Sequence, residues 1–402
     1  MPDQMSDHPY PLAGVRVLDL SRAISGPYVG RMLSDLGAEV VKIEIPGADI
    51  TQVFGPRSNG HSGLYVQMNV GKRNVSVDLG TEAGAAVLRD LAAHADVVIE
   101  NFRPGTLDRL GVGWSALSAV NPRLVMLSVS GFGQDGPESH RQAYAPVMHA
   151  ESGLLGRQAE VTGAEPVDLV MALADSIASL HATIAVLAAL RARDNSGQGQ
   201  YLDLSMLEAM LATDDYTHYS LERTYPVFNA GGLVFQAAGG PLLISADPKY
   251  LWHRLATRYG FTDPDPQAAT QQKIATRGKV VAHWVASFSD RSELIAALES
   301  AGVAWAEIRT PATVLDSPTV AAREVVAQVD NRNGGTRPVI RMPYRFSAAS
   351  CGPRGSTAFV GEHNADVLSQ WLGLDAEAVQ QLEAAGALIP CDQADLTPRS
   401  AR

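Results

Sequence analysis

A single carboxylate interrupts one long apolar run of this 402-residue chain. Residues 170–193 read VMALADSIASLHATIAVLAALRAR, and Asp175 is the only acid among them. The run has helical period. At about 100° per residue, Ile177, Leu180, Ile184 and Leu187 form one apolar stripe, and Asp175 points away from it. It shares a face instead with Ala178, Ser179 and Ala182, whose small side chains leave room for another backbone or a ligand. One reading makes Asp175 a helix N-cap, its carboxylate accepting a backbone N–H. The other makes it a nucleophile. The helix dipole keeps a carboxylate near the N-terminus ionised, and an ionised, partly dehydrated carboxylate in a cleft can attack an electrophile. The two readings are compatible.

Positive charge gathers at Lys42, Lys72, Arg73, Arg103 and Arg109. Singly, each reads as a solvated surface charge. Clustered beside neighbouring strand ends, they read as a phosphate-binding face, because Arg and Lys match phosphate oxygens. Other chemistries lack their motifs. SRAISGPYVG, residues 21–30, is not GxGxxG, and Pro27 removes an N–H where a pyrophosphate would want one. No Walker-A lysine sequence occurs, so neither dinucleotide nor ATP use is expected. No HExxH or paired-histidine spacing suits a metal, and Cys351 and Cys391 have no metal-ligand spacing. SMLEAM is not the GxSxG elbow of a serine hydrolase.

The elements that must position these residues alternate. Residues 15–20 read as a strand, and Ser25-Gly26-Pro27 as a turn into a helix over 28–36 that Gly37 stops. Residues 38–45 read as a second strand, completing a βαβ unit and implying parallel pairing. The pattern recurs through KRNVSVDL, a helix over 81–95 with Thr81 as N-cap, DVVIENF, a helix-turn-helix over PGTLDRLGVGWSALSAVN, and RLVMLSVSGF. The expected fold is α/β, a doubly wound, Rossmann-like parallel sheet with ligands at the C-terminal ends of its strands. Those ends are SRAISGP, ENFRPG and SGFGQDGP. The helix carrying Asp175 follows, then a strand and helix in GQYLDLSMLEAML. Composition shifts near Tyr225. The expected division is a large domain, 1–220 with 325–402, and a smaller α/β domain, 225–320. NRNGGTRPVIRMPYRFSAA reads as extended, GEHNADVLSQWLGLDAEAVQQLEAAGAL as two amphipathic helices, and residues after Leu388 as a frayed tail.

Net charge is −11 without long basic runs, so duplex nucleic acid is not an expected partner. Polar residues break the longest apolar run, so no membrane span is expected. The N-terminus lacks the basic-then-apolar order of a signal peptide. Two cysteines fit a reducing cytosol better than a disulfide scaffold. The expected class is a soluble cytoplasmic enzyme.

In their order, LAGVRVLDLSRAISGPYVGRMLSDLGAEVVKIE, MNVGKRNVSVDL, ADVVIENFRPGTLDRLGVG, LVMLSVSGFGQDGP, ADSIASLHATIAVLAALRARDNSGQGQYLDLSMLEA and GEHNADVLSQWLGL resemble one family. It is the class III CoA-transferases, the CaiB/BaiF type that includes formyl-CoA transferase, and the resemblance runs from about Pro11 to Leu388. It implies a CoA thioester as substrate, a small carboxylic acid as its partner, and no metal or redox cofactor. It implies that Asp175 attacks the donor thioester, giving a mixed anhydride and then an aspartyl-CoA thioester. It sets Ala23, Ile24, Lys72, Arg73, Asn101, Phe102 and Arg109 beside CoA, with Tyr144 close by and Arg141 or Gln142 where relatives carry a lysine. It also implies an interlocked homodimer, each chain threading a hole in the other.

The chain departs from the family in two places. Relatives carry an acid after the position of Tyr144, and here that residue is Ala145. Related acyl-CoA racemases use a His–Asp pair at these two positions, and Tyr144, a phenol of pKa about 10, is a poor base at neutral pH. His149 is nearby but out of register. The run of four glycines of formyl-CoA transferase is also missing, with only Gly231-Gly232 and Gly239-Gly240 in that region. A formyl/oxalate substrate pair is therefore not expected. Arg223 and Arg309 are candidate partners for a substrate carboxylate. Two rivals stand beside the transferase: a racemase on the same fold, and a CoA-binding protein without turnover.

Overall fold

A computed structural model describes residues 8–45, 47–222 and 232–391. Short stretches bounded by turns form β1 (Arg16–Asp19), β2 (Glu39–Glu44), β3 (Arg57–Ser58), β4 (His61–Ser62), β5 (Arg73–Ser76), β6 (Val97–Glu100), β7 (Val125–Ser130) and β8 (Gln200–Ser205). β3 and β4 make a small antiparallel hairpin. The other six strands form one parallel sheet, ordered β5-β2-β1-β6-β7-β8. Ranked by chain position that order is 3-2-1-4-5-6, the doubly wound arrangement, and it reverses between β1 and β6. A crevice for ligands opens outside the C-terminal strand ends at such a reversal. The α/β expectation is met.

The helices of this part are α1 (Ser25–Asp35), α2 (Gly63–Asn69), α3 (Glu82–Ala92), α4 (Thr106–Arg109), α5 (Trp114–Val120), α6 (Ala145–Glu151), α7 (Leu154–Thr162), α8 (Leu173–Ser196) and α9 (Met206–Thr213). Thr81 caps α3 as its sequence suggested, accepting from Gly84 N–H. Strand side chains alternate between two cores. Leu18, Val98 and Met126 pack with α3, α5 and the helices Asn364–Leu372 and Ala376–Ala384. Val17, Val97, Ile99 and Leu127 pack with α1, α6, α8 and α9.

The face of α8 whose small side chains leave room for another backbone is the face that packs. Its inner face is the small-residue one, where Ala174, Ala178, Ser179, Ala182, Thr183, Val186 and Ala189 are buried. Leu180 is 47% and Ile184 64% exposed. Periodicity separated the two stripes correctly, but close approach to α1 selected the smaller side chains for the inside. By length and composition α8 could cross a membrane, contrary to the reading of its polar breaks. Here it packs against α1, α6, α9, β7 and β8 as a core helix.

The chain divides into a large unit, Met1–Thr224 with Glu324–Arg402, and a small unit, Tyr225–Arg323. In the small unit, Gly240–Ser245 pairs antiparallel with both Leu233–Ala237 and Ala304–Glu307. The apolar side chains of that sheet, Leu242 and Ile244, pack with Leu251, Leu255, Val285 and Leu294 of its helices. In the large unit the stretch expected to be extended gives the strand Thr336–Ile340, paired in a hairpin with Val326–Asp330. Arg223, Gly231, the first seven residues and most of the expected tail lie outside the described residues.

Candidate active site

β1 ends at Asp19, and the chain turns into α1 within a few residues. Side chains from other elements hold the backbone of that turn. Asp19 Oδ1 accepts Ser21 N–H at 3.0 Å, and the Lys42 ammonium donates to Ser21 O at 2.8 Å. Asn101, just after β6, accepts Arg22 N–H at 2.9 Å and donates to Arg22 O at 2.8 Å. Asp49 Oδ1 accepts Ala23 N–H at 3.3 Å. This hold sustains a φ of +64° at Ala23. That left-handed conformation costs a residue with a Cβ about 1–2 kcal/mol.

α8 delivers Asp175 to the same turn. Asp175 is half-buried in the first turn of α8, whose N-cap, Ala172, has no capping side chain. Ser25, the first residue of α1, stands beside that carboxylate, and its N–H and hydroxyl favour the charged form. The N-cap reading is not met, because Ala172 is the N-cap of α8 and Asp175 stands in its first turn. Two helix N-termini converge on one carboxylate. The first turn of α8 is served by His149 on α6, whose Nε2 accepts Ala174 N–H at 3.2 Å. Its Nδ1 lies 2.8 Å from Asp168 Oδ1, so the network assigns the ring proton to Nδ1. The Ser179 hydroxyl, 2.7 Å from both Ser25 O and Asp175 O, stitches α8 to α1.

Burial pushes the Asp175 pKa up to about 6, while Ser25 N–H, the Ser25 hydroxyl and the proximity of His149 hold it below what burial alone would give. At neutral pH the group is ionised, largely dehydrated and fixed in direction, as a carboxylate nucleophile must be. Sequence reasoning set His149 aside. Nothing in local spacing marks a residue that reaches the start of α8 from a separate helix.

Ala23, Ile24, Asn101, Phe102 and Arg109 all stand at the C-terminal end of the sheet, after β1 and β6. Phe102 N–H donates to Glu100 Oε2 at 2.7 Å. Burial pushes that carboxyl up to about 7, against hydrogen bonds from Ser128 and Phe102. The Arg22 guanidinium lies 5.4 Å over the Phe102 ring. Arg22, which the sequence did not single out, joins Arg103 and Arg109 as an exposed cation at this end.

Lys72 does not belong to that face. Its ammonium is buried and donates to Asp19 Oδ2 at 2.7 Å, Pro27 O at 2.8 Å and Asn69 Oδ1 at 2.9 Å, which uses all three of its protons. Burial pushes it down to about 8, with Asp19 opposing. Lys42 is likewise buried, between Glu44 and Asp49. Arg73 starts β5, opposite Val41, and binds Glu39 Oε1 and Gln370 Oε1, each at 2.7 Å. It lines a cavity of about 470 Å³ with Arg354 and His363, at the N-terminal ends of the strands. The KR pair is a strand start, where the sequence reading put a strand end. Tyr144 is 67% exposed at the N-cap of α6. Arg141 is engaged by Glu138 and Glu151, each at 2.5 Å. Arg309 is exposed in the small unit. Among the described residues no group of three or more His, Cys, Asp or Glu is placed to hold a metal ion.

The profile of CoA-transferase family III matches residues 12–364. The succinyl-CoA–D-citramalate CoA-transferase of Chloroflexus aurantiacus is 32% identical over 401 residues, covering 94% of this chain and 98% of that protein. The succinate–glutarate CoA-transferase of Agrobacterium fabrum is 30% identical over 386 residues, covering 90% and 95%. A CaiB/BaiF family protein from Brucella suis superposes with a TM-score of 0.77 at 29% identity, covering 90% of this chain and 100% of that one. Rv3272 of Mycobacterium tuberculosis does so with a TM-score of 0.76 at 29% identity and the same coverage. With a parallel sheet of the 3-2-1-4-5-6 order and a dehydrated carboxylate at its crevice, the chain belongs to CoA-transferase family III.

Proposed function

We propose that this CoA-transferase moves CoA from an acyl-CoA donor to a carboxylic acid through Asp175 as covalent nucleophile. The Asp175 carboxylate attacks the thioester carbonyl, and CoA thiolate leaves as an aspartyl–acyl anhydride forms. The thiolate then attacks the Asp175 carbonyl, releasing the donor acid and leaving an aspartyl-CoA thioester. The acceptor carboxylate attacks that thioester, and the returning thiolate attacks the acceptor's own carbonyl in the second anhydride. Asp175 is regenerated with no net change in protons or electrons. Splitting one exchange into acyl transfers of similar difficulty is the gain of covalent catalysis. CoA supplies the only thiol required, so no resident cofactor enters the scheme.

The observation that carries this reading is the half-buried Asp175, ionised at neutral pH, beside Ser25 at the crevice. In the same reading the large unit binds CoA along Ala23, Ile24 and Phe102, with Arg22, Arg103 and Arg109 toward its phosphates. Relatives named for succinyl-CoA, with D-citramalate, L-malate or mesaconate, favour a dicarboxylic donor and acceptor. A racemase is less well supported, because both ring nitrogens of His149 are engaged and Tyr144 stands where racemases carry a histidine. Cys351 and Cys391, both in the thiol form, accord with a cytoplasmic setting. The outward Leu180, Ile184 and Leu211 accord with an interlocked homodimer.

Intact mass spectrometry after mixing with succinyl-CoA and other acyl-CoAs tests the mechanism. A CoA or acyl adduct is expected on the native protein and absent from Asp175→Ala. The absence of any adduct, with solvent deuterium entering the α-carbon, would replace the transferase mechanism by the racemase one.

A further inference from the structure

One peptide beside the crevice is pinned at both ends. Its carbonyl belongs to Arg22 and its N–H to Ala23. Asn101 Nδ2, just after β6, donates to Arg22 O at 2.8 Å. Asp49 Oδ1, a few residues after β2, accepts Ala23 N–H at 3.3 Å. Both holders are themselves fixed. Asn101 Oδ1 accepts Arg22 N–H at 2.9 Å, and Nδ2 also donates to Ser25 Oγ at 3.1 Å, so both amide protons stay within the protein. Asp49 is 2% exposed. Its Oδ1 also accepts the N–H and hydroxyl of Thr51, at 3.0 and 2.7 Å, and its Oδ2 lies 3.2 Å from the Lys42 ammonium.

The conformation held in this way is one that alanine avoids. Among the described residues, four other than glycine have φ in the left-handed region, and Ala23 is the one of them without a polar side chain. A return from +64° to a φ of about −60° would turn the pinned peptide through roughly 120° and break the hydrogen bonds at its two ends. Core packing does not demand the strain, because Ala23 is only half-buried. The peptide lies in the turn after β1 and Asn101 follows β6, the two strands between which the sheet order reverses. Strain held at the crevice by side chains from two other loops presets a binding surface.

We propose that Asn101 and Asp49 are positioning residues: they clamp the peptide between Arg22 and Ala23 and so preset the turn along which CoA binds. The clamp rests on the reading that CoA lies along Ala23 and Ile24. Asn101, expected at CoA, acts on it only through this turn.

The test removes the clamp in two backgrounds and follows the binding of free CoA to the full chain by calorimetry. Asn101→Ala releases Arg22 O. In the native background Ala23 then relaxes to negative φ, and the binding-competent turn becomes a minor state. The Kd for CoA should rise by about 5- to 30-fold. Glycine takes positive φ about as readily as negative, so in an Ala23→Gly background the same loss should change Kd by no more than about threefold. Asn101→Asp, equal in size, keeps the acceptor for Arg22 N–H and sets an oxygen against Arg22 O. It should show the same dependence on residue 23, and it carries the test should Asn101→Ala fail to fold. Equal losses in the two backgrounds would overturn the clamp and make Asn101 a direct CoA ligand. An unmoved Kd in the native background would overturn it as well. Either result, with an acyl adduct still formed on Asp175, leaves the transferase reading in place. A native protein that binds no CoA and forms no adduct would sink that reading, and the clamp with it.

Discussion

Asp175 ionises in the native chain near pH 6, against about 4 for a free aspartate, because burial disfavours its charge. The native state therefore binds this proton more tightly than the unfolded chain. The contribution of Asp175 to stability falls as pH rises from about 4 to about 6, and above that its charge costs on the order of 2–3 kcal/mol. Asp175→Asn should then stabilise the protein by about 1–3 kcal/mol at pH 7.5 in urea denaturation, with the gain vanishing near pH 4. The same substitution should lower kcat by about 10³-fold or more, since amide nitrogen is no nucleophile here. Native kcat/KM should fall about tenfold per pH unit below 6 as the nucleophile is protonated. His149 has a structural role of its own. His149→Ala leaves Ala174 N–H without its acceptor and should cost about 1–3 kcal/mol by thermal or chemical unfolding.

At the scale of elements, α1 is seated on β1 and β5 by a buried ion pair, and one glycine makes room for it. A Cβ on Gly30 would stand 2.5 Å from Asp19 Oδ2 and 3.0 Å from Lys72 Nζ. Gly30→Ala should therefore destabilise by about 2–4 kcal/mol, more than its gain in helix propensity returns. Lys72→Met leaves Asp19 buried and unpaired, at about 3–5 kcal/mol, and adding Asp19→Asn should recover much of the loss. Denaturation midpoints of the two variants and their combination measure this coupling. A CoA-binding role for Lys72 predicts instead a raised KM with unchanged stability.

For the whole molecule, α8 turns its small side chains inward and leaves Leu180 and Ile184 in water. A covered surface between subunits would resolve that exposure. Leu180→Glu combined with Ile184→Glu should convert a dimer to monomer in light scattering, with the parallel sheet's circular dichroism retained. A monomeric native protein would remove the interlocked homodimer from the proposal.

The parallel sheet, the helix of Asp175 and the family were legible in the sequence. Strand alternation, Gly and Pro punctuation and short motifs are written in contiguous residues and act over one turn or one strand. Asp175 stood out because an acid in an apolar run has few inexpensive places to go. What only the tertiary structure decided depends on residues far apart in the chain. Which stripe of α8 lies inside was set by how closely α1 approaches. Asp175 faces the start of α1 because the Ser179 hydroxyl ties α8 to Ser25, and His149 completes α8 from a separate helix. Lys72, charged and plausible as a phosphate ligand, is spent on Asp19, because the strand pairing that buries both leaves each no better partner.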